Sequence, residues 1–429
     1  MTELDWIEAA VTAARPQAVG ALLRYFRDLD TAEEAFQDAC LRALKSWPVK
    51  GPPRDPAAWL ILVGRNSALD AARKTRRLTE LPDEAALSDL DDAEADLADR
   101  LDGSHYRDDV LRLLFICCHP DLPATQQVAL ALRIVSGLSV ADIARAFLVG
   151  ESAMEQRITR AKTRIAKGAL GFETPGPVER AERLGAVATM LYLVFNEGYS
   201  AGAEAAERRV GFCDEAIRLA RLLLRLFPSE PEIMGLLALM LLQHARADAR
   251  FDAHGQAVLL DDQDRSLWKP KLITEGLGLI DKAMRHRAPG PYQLQAAIAA
   301  THARAKQPEQ TDWTQIDALY AALERRQPSP VITLNRAVAV AKLHGPQAAL
   351  EMIAPLAERL DRYFHFHGAR GAFLLQLGRG GEAKTAFDRA IALANSASEA
   401  ADIRRHLDRL SAHAESATLR VGTAAARPS

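Results

Sequence analysis

Apolar residues recur every three or four positions through the first 76 residues, which is the spacing of one face of an α-helix. Three such groups follow one another: Val19, Leu22, Leu23 and Phe26; Ala35, Phe36, Cys40, Leu41 and Leu44; Trp59, Leu60, Leu62 and Val63. They predict three or four helices and no strand. The same spacing returns over residues 107–167 and predicts a second compact helical unit. The pattern as a whole predicts an all-α protein.

Two interruptions divide this pattern. Ten acidic residues and a single base, Arg100, occupy positions 78–105, and so charged a segment predicts a linker. Pro and Gly at 174–177 break any continuous helix. We therefore predict a small helical domain over 1–77, the acidic linker over 78–105, a second small helical domain over 106–173, a long helical domain over 178–411 and a disordered tail over 412–429.

The long rear domain contains a repeat. Gly371, Ala383, Phe387 and Ala390 have the small, small, aromatic, small spacing of tetratricopeptide helix pairs, and Ala349 precedes Ala383 by 34 residues. Short helix pairs need neighbours to bury their apolar faces. The rear is therefore predicted to be a tetratricopeptide-like solenoid with irregular early repeats.

Net charge, cysteine count and the length of apolar runs limit the kinds of function that fit this chain. The 429 residues include 54 Lys and Arg against 56 Asp and Glu, a formal net charge of -2, so any nucleic-acid surface must be local. Four cysteines are too few for a disulfide scaffold and suit a reducing cytosol. We see no signal peptide, and the longest apolar run is about half of the ~20 residues that a bilayer span needs. The expected location is cytoplasmic.

A helix-turn-helix is the sharpest local signal. Ser139 and Asp142 form a capping box at the start of the first helix, and Glu151 begins a second helix. Met154 and Ile158 are predicted to face inward there, whereas Arg157, Arg160, Lys162 and Arg164 face outward or flank DNA phosphates. This arrangement is typical of a helix that enters the major groove. The alternative is a helical hairpin with a solvated basic face.

A second basic cluster covers residues 65–77. Arg65, Asn66, Arg73, Arg76 and Arg77 fall largely on one side of a helix, a stripe that neutralises phosphates. A solvated helix face is the alternative for this pattern taken alone.

These segments resemble a family. Asp30 to Leu44 looks like the sigma region 2 helix that docks on RNA polymerase, Trp59 to Lys74 looks like the helix that reads and melts the -10 element, and 107–167 resembles region 4. Their order resembles the extracytoplasmic-function sigma factors. Four further blocks resemble the subgroup with a long tetratricopeptide-like extension: Cys117–Pro120, Leu191–Ser200, Asp262–Ser266 and Gly290–Ile298. Two departures are Leu148, where the family generally has glycine, and Glu155, where it has a basic or polar residue.

The resemblance implies partners and roles. Core RNA polymerase is expected to bind Asp38, Leu41 and Arg42, and the acidic linker to occupy a channel of the enzyme. A loop from Trp47 to Pro56 is expected to hold an unstacked -10 base. The expected -10 contacts are Lys50, Arg54, Arg65, Asn66, Arg73, Lys74, Arg76 and Arg77. The expected -35 contacts are Glu151, Ser152, Arg157, Arg160, Lys162 and Arg164. Independently of the resemblance, polar stretches at 196–200 and 261–266 interrupt apolar helices of the rear domain and are expected to dock on the front domains or on polymerase; caps and turns of the helical array are the alternative. The expected regulatory residues are Asn196, Glu197, Tyr199, Asp264 and Arg265.

Other chemistry finds little support in the sequence. Cys117, Cys118 and His119 are adjacent, which does not give the spaced ligands of a closed zinc site. Phosphate-loop, zinc-protease and nucleophile-elbow patterns do not occur. We therefore expect no enzyme activity, metal or cofactor. The rival interpretations are a helix-turn-helix activator with a ligand-sensing helical array and an interaction scaffold. The first leaves Asp30 to Arg77 without a role, and the second explains neither basic helix.

Overall fold

The computed structural model describes residues 5–76, 103–119, 121–147, 149–167, 177–199, 203–253, 255–287, 289–394 and 403. Within these residues it contains seventeen α-helices and no strand, apart from one isolated bridge between Phe251 and Ala257. The all-α prediction is thereby confirmed. The chain divides into two compact units, residues 1–194 and 195–429.

Eight helices begin in the front unit: α1 (Asp5–Phe26), α2 (Leu29–Lys50), α3 (Pro56–Arg76), α4 (Gly103–Cys117), α5 (Ala124–Ile134), α6 (Val140–Ala146), α7 (Glu151–Lys167) and α8 (Pro177–Tyr199). The last three residues of the predicted linker, 103–105, are helical and begin α4. The division at 194 lies inside α8. Its first part belongs to the front unit, where Leu184 is buried and the Arg183 guanidinium lies 5.2 Å from the Phe115 ring centroid.

Local chemistry sets the ends of α2 and α3. The Asp28 carboxylate accepts a hydrogen bond from the Thr31 N–H at 2.8 Å and caps the start of α2. Gly51, with φ of 84°, ends this helix, and its N–H donates to the Trp47 carbonyl at 2.9 Å. Asp55 accepts from the N–H groups of Ala57 and Ala58 and caps α3.

The predicted loop from Trp47 to Pro56 was therefore wrong in extent. Trp47 is buried inside α2, with its ring centroid 6.1 Å from that of Trp6 and 5.3 Å from that of Trp59. This aromatic packing holds the last turn of α2 in helical form, so the loop is only residues 51–55. Lys50 is the last residue of the helix rather than part of the loop.

The second half of the front unit packs directly on the first. A Cβ atom at Gly20 of α1 would lie 2.7 Å from the Asp109 carbonyl oxygen of α4, so the two backbones approach closely. Arg24 is ion-paired with Asp109 at 3.4 Å. Arg15 of α1 donates from Nε to the Ile134 carbonyl at the end of α5, at 2.9 Å. Helices from both predicted small domains therefore share one core.

The rear unit continues through nine further helices: α9 (Ala203–Leu226), α10 (Pro231–His244), α11 (Pro270–Met284), α12 (Pro291–Arg304), α13 (Trp313–Arg326), α14 (Pro330–His344), α15 (Pro346–Ile353), α16 (Phe364–Gln376) and α17 (Gly380–Leu393). Glu232 of α10 accepts hydrogen bonds from the Tyr292 and Gln293 N–H groups, both at 3.1 Å, and so caps α12. The Gly290–Ile298 block thus includes a helix start that a distant carboxylate holds.

The predicted small-residue packing is present in the last helix pair. A Cβ atom at Gly371 of α16 would lie 2.5 Å from the Phe387 ring of α17, and Ala383, Phe387 and Ala390 are all fully buried. Only glycine allows this ring to pack against the α16 backbone. Classification of the whole rear unit as tetratricopeptide-like stays a prediction.

Candidate polymerase and promoter interface

The expected polymerase-binding residues lie together on α2. Leu41 is 59% exposed, and Leu44, one turn further on, is also exposed. Ser67 of α3 donates from Oγ to the Asp38 carboxylate at 3.0 Å, and Arg42 donates from Nη2 to the same hydroxyl at 3.4 Å. Asp38 and Arg42 are therefore held together beside the exposed Leu41. We call Asp38, Leu41, Arg42 and Leu44 the α2 patch.

Sequence reasoning gave no role to Ser67. Its side chain is buried, and it links α3 to both charged members of the α2 patch. Its position directly after Asn66, on a helix already singled out, was a signal that could have directed attention to it.

The expected -10 contacts lie along α3 and before its start. Arg54 is exposed in the loop 51–55, Lys50 is exposed at the end of α2, and Asn66 is half-buried. The Arg65 guanidinium lies 5.8 Å from the Tyr25 ring centroid. Arg73, Lys74 and Arg76 lie on the last turns of α3, while Arg77 lies outside the described residues. The structure thus places the described members of the set on two connected elements.

The predicted helix-turn-helix is present as α6 and α7. The Ser139 hydroxyl accepts from the Asp142 N–H at 3.0 Å, as the capping box predicts. It also donates to the Asp142 carboxylate at 2.5 Å, so this carboxylate contacts the Ser139 side chain. Of the residues predicted for the inner face, Ile143, Ala144, Met154, Ile158 and Ala161 are buried, whereas Phe147 is only half-buried. Leu148, the departure in the turn, lies outside the described residues.

The recognition helix α7 presents most of the expected -35 contacts. Glu151, Ser152, Arg160 and Arg164 are exposed, and Arg157 is half-buried. Arg164 also donates to the Asp121 carbonyl at 2.9 Å. Glu155, the second departure, is exposed on the same helix.

The outward orientation predicted for Lys162 was wrong. Its ammonium group donates to the Asp30 and Glu33 carboxylates of α2, each at 2.6 Å, and its side chain is only 20% exposed. Burial alone would lower the pKa of Lys162, but the two carboxylates outweigh burial and raise it above its usual value. Helical periodicity gave no sign of this contact, because the partners are 129 and 132 residues away.

The adjacent thiols are core residues. Cys117 and Cys118 are buried, and burial raises the pKa of Cys117 well above its usual range and that of Cys118 to about 12. The His119 Nδ1 atom accepts from the Asp121 N–H at 3.2 Å. Within the described ranges, no group of three or more His, Cys, Asp or Glu side chains is placed to hold a metal ion.

Two of the expected regulatory segments converge in the rear unit. Arg246 donates to the Tyr199 hydroxyl at 3.1 Å and lies 6.0 Å from the Trp268 ring centroid, while Arg265 lies 4.7 Å from the same ring. Arg250 stacks on Tyr199 at 3.8 Å. We call these five residues, three arginines and two aromatic residues, the rear arginine cluster.

The remaining expected regulatory residues have local roles or positions. Asp264 accepts from the Ser266 N–H at 2.8 Å and so caps a turn. Arg265 donates to the carbonyls of His302 and Ala305. Asn196 and Glu197 are half-buried on α8, three and two residues before Tyr199. The contacts of Asp264 and Arg265 are those of a turn, and Asn196 and Glu197 lie at a helix end.

Comparison with known proteins agrees with this arrangement. Residues 10–78 match the family model of sigma-70 region 2, and residues 112–165 match that of sigma-70 region 4. The chain belongs to the extracytoplasmic-function sigma-70 family. In this sigma factor, the α2 patch and α3 fall within the region 2 match, and the helix-turn-helix falls within the region 4 match.

The chain also matches a further family and a relative of almost the same length. Residues 183–284 match a family of unknown function, DUF6596, and this range contains the rear arginine cluster. An uncharacterized protein of Rhizobium meliloti is 70% identical over 412 residues, covering 96% of this chain and 97% of its own length. No solved structure gives a significant match.

A named sigma factor matches part of the chain. The probable ECF RNA polymerase sigma factor SigI of Mycobacterium tuberculosis is 29% identical over 168 residues, 38% of this chain and 56% of that protein. None of the described helices is both long and apolar enough to cross a bilayer.

Proposed function

We propose that this sigma factor binds core RNA polymerase in the cytoplasm through the α2 patch and directs it to a promoter. The observation that carries the proposal is the α2 patch itself. Leu41 and Leu44 expose apolar surface that a soluble protein gains by burying against a partner. Ser67 pre-positions Asp38 and Arg42 beside these leucines, so a partner would meet ordered charged groups next to the apolar surface.

The promoter contacts divide between two helices. The exposed face of α7, with Arg157 and Arg160, suits -35 recognition in a major groove, where each specific base contact is worth about 1–3 kcal/mol. The loop 51–55 and α3, with Arg54 and Asn66, suit opening of the -10 element. An extruded base costs a few kcal/mol to unstack, and contacts in the loop would offset that cost.

Run-off transcription with purified core polymerase tests this function. Leu41→Asp should abolish core binding and transcription, because it places a carboxylate at the centre of the apolar contact. Leu259→Asp is the matched control, since Leu259 is 52% exposed in the rear unit and lies outside the α2 patch. If both variants and the parent bind core polymerase with equal affinity, the α2 patch is not the polymerase-binding surface. Promoter binding without polymerase would instead favour a helix-turn-helix activator.

We also propose that the rear unit modulates the front unit in cis. It is covalently attached, so its effective concentration at the front unit reaches the millimolar range. A chain ending after Tyr199 keeps all of α8, whereas one ending at Phe172 loses Leu184, which is part of the front-unit core. The first truncation should change promoter output while retaining core binding. Promoter output equal to that of the full chain would show that the rear unit does not modulate transcription.

A further inference from the structure

One guanidinium group of the rear arginine cluster is anchored at one nitrogen only. Arg265 donates from Nη1 to the carbonyls of His302 and Ala305, which fixes the orientation of the group. Its Nε and Nη2 atoms are buried, and neither has a hydrogen-bond partner in the described part of the chain. These two nitrogens form the edge that binds two oxygens of a carboxylate or a phosphate in parallel. We call them the Arg265 fork.

Other arginines of the rear unit show how such a fork is filled. Arg221 donates from Nε and Nη2 to the two carboxylate oxygens of Glu275, at 2.8 and 2.6 Å. Arg218 binds Glu215 in the same way, at 2.8 and 2.6 Å. Buried donors of a charged group cost free energy when they lack a partner. An oxyanion from outside the chain would remove this cost at the Arg265 fork.

More polar atoms in need of a partner lie close to Arg265. The guanidinium groups of Arg246 and Arg265 lie 6.0 and 4.7 Å from the centroid of the same Trp268 ring. Trp268 is only 5% exposed, and its Nε1 atom has no hydrogen-bond partner among the described residues. The Nδ1 atom of His302, whose carbonyl holds Arg265, is likewise buried without such a partner. The donors thus come from several side chains.

The charges around the fork do not balance. Burial lowers the pKa of Arg265, the carboxylates of Asp261 and Glu309 raise it, and Arg246 lowers it further. Asp261 is also ion-paired with Lys342 at 2.8 Å. Two arginines and a lysine therefore face two carboxylates, which leaves net positive charge. This charge disfavours a cation and attracts an anion.

We propose that the rear arginine cluster binds a phosphate monoester dianion, with two of its oxygens in the Arg265 fork. A phosphate monoester carries a charge of about −1.5 to −2 at pH 7 and has three strong acceptor oxygens. A carboxylate has a single charge and two oxygens. Because the fork supplies two donors and Arg246 and Trp268 add others, the larger acceptor suits the site better. This site goes beyond the proposed function, since it needs neither polymerase nor promoter DNA.

Calorimetric titration of the full chain with inorganic phosphate tests the site, with acetate at equal ionic strength as the carboxylate arm. The parent should bind phosphate about tenfold or more tightly than acetate. Arg265→Lys keeps the charge but loses the fork, so it should bind phosphate about tenfold or more weakly than the parent. Arg326→Lys is the matched control, because Arg326 is exposed at the end of α13. It should bind phosphate as the parent does.

A second variant guards against a loss of stability in the first. Trp268→Phe keeps an aromatic ring and the Arg265 anchors but removes the indole N–H, so it should weaken phosphate binding without changing thermal unfolding of the phosphate-free chain. If Arg265→Lys is less stable than the parent without phosphate, Trp268→Phe alone decides. A variant that binds phosphate as tightly as Arg326→Lys does, or a parent that binds no phosphate, would overturn the proposal. Equal affinity of the parent for phosphate and acetate would overturn the choice of a phosphate ligand.

Discussion

Glu33 is a buried carboxylate between two cations from distant parts of the chain. Arg15 of α1 lies 3.3 Å from one of its oxygens, and Lys162 of α7 lies 2.6 Å from the other. A buried charge is tolerated only when it is paired and hydrogen-bonded. Glu33 therefore links the recognition helix to α1 and α2.

The first prediction concerns this link. Lys162→Met removes two charge-assisted hydrogen bonds but leaves Arg15 beside Glu33, so we expect a loss of about 1.5–3 kcal/mol in the free energy of unfolding. Urea denaturation of the full chain with Trp268→Phe and Trp313→Phe, which leaves only the front unit's three tryptophans, measures this loss. Arg160→Met is the control, because Arg160 is exposed on the same helix. Equal stability of the two variants would show that the Lys162 pairs contribute nothing.

The second prediction concerns Cys40, next to the α2 patch. Burial disfavours its thiolate and raises the pKa of the thiol to about 11. Because the thiolate is the reactive form, alkylation of Cys40 by iodoacetamide should rise about tenfold per pH unit from pH 8 to 10. In the unfolded chain the rate should level off near pH 9, as for an ordinary thiol. A plateau near pH 9 in the folded chain would contradict the raised pKa.

At the scale of elements, sequence pattern predicts what lies close along the chain. The spacing of apolar residues predicts the helices of the front unit, and Ser139 with Asp142 predicts where α6 begins. The same spacing cannot predict that Trp47 packs between Trp6 and Trp59 and so keeps the last turn of α2 helical. Nor can it predict the Lys162 pairs or the Glu232 cap of α12, since each joins residues at least 60 positions apart.

The third prediction tests the last helix pair. Gly371→Ala places a methyl group 2.5 Å from the buried Phe387 ring, so we expect overpacking to lower the free energy of unfolding by about 1–3 kcal/mol. Gly381→Ala is the matched control. It lies in α17 with no atom within 4 Å of the added Cβ, and alanine favours the helix. Thermal unfolding of the two variants should move in opposite directions. A Gly371→Ala variant as stable as Gly381→Ala would mean that the two helices separate easily.

At the scale of the molecule, the packing of the front unit sets a condition on promoter binding. The -10 and -35 elements are about 25 base pairs apart, or about 85 Å at 3.4 Å per pair. Helix α7 contacts α2 directly through Lys162, with N–O distances of 2.6 Å. On the proposed contacts, α7 at the -35 element and α3, which Ser67 joins to α2, at the -10 element cannot both bind DNA in this arrangement. Binding of both elements requires α7 to leave α2.

The last prediction follows from this condition and is measured as a distance. Spin labels at Glu34 of α2 and Glu155 of α7, both exposed, should report one short distance in the free chain and a much longer one in the holoenzyme on promoter DNA. Lys162→Met should populate the longer distance without polymerase, because it removes the ion pairs that join the helices, whereas Arg160→Met should not. An unchanged distance in the promoter complex would show that α2 and α7 stay together, so that α7 does not bind the -35 element while α3 binds the -10 element. A long distance in the free parent chain would instead show that the Lys162 pairs do not hold the front unit closed.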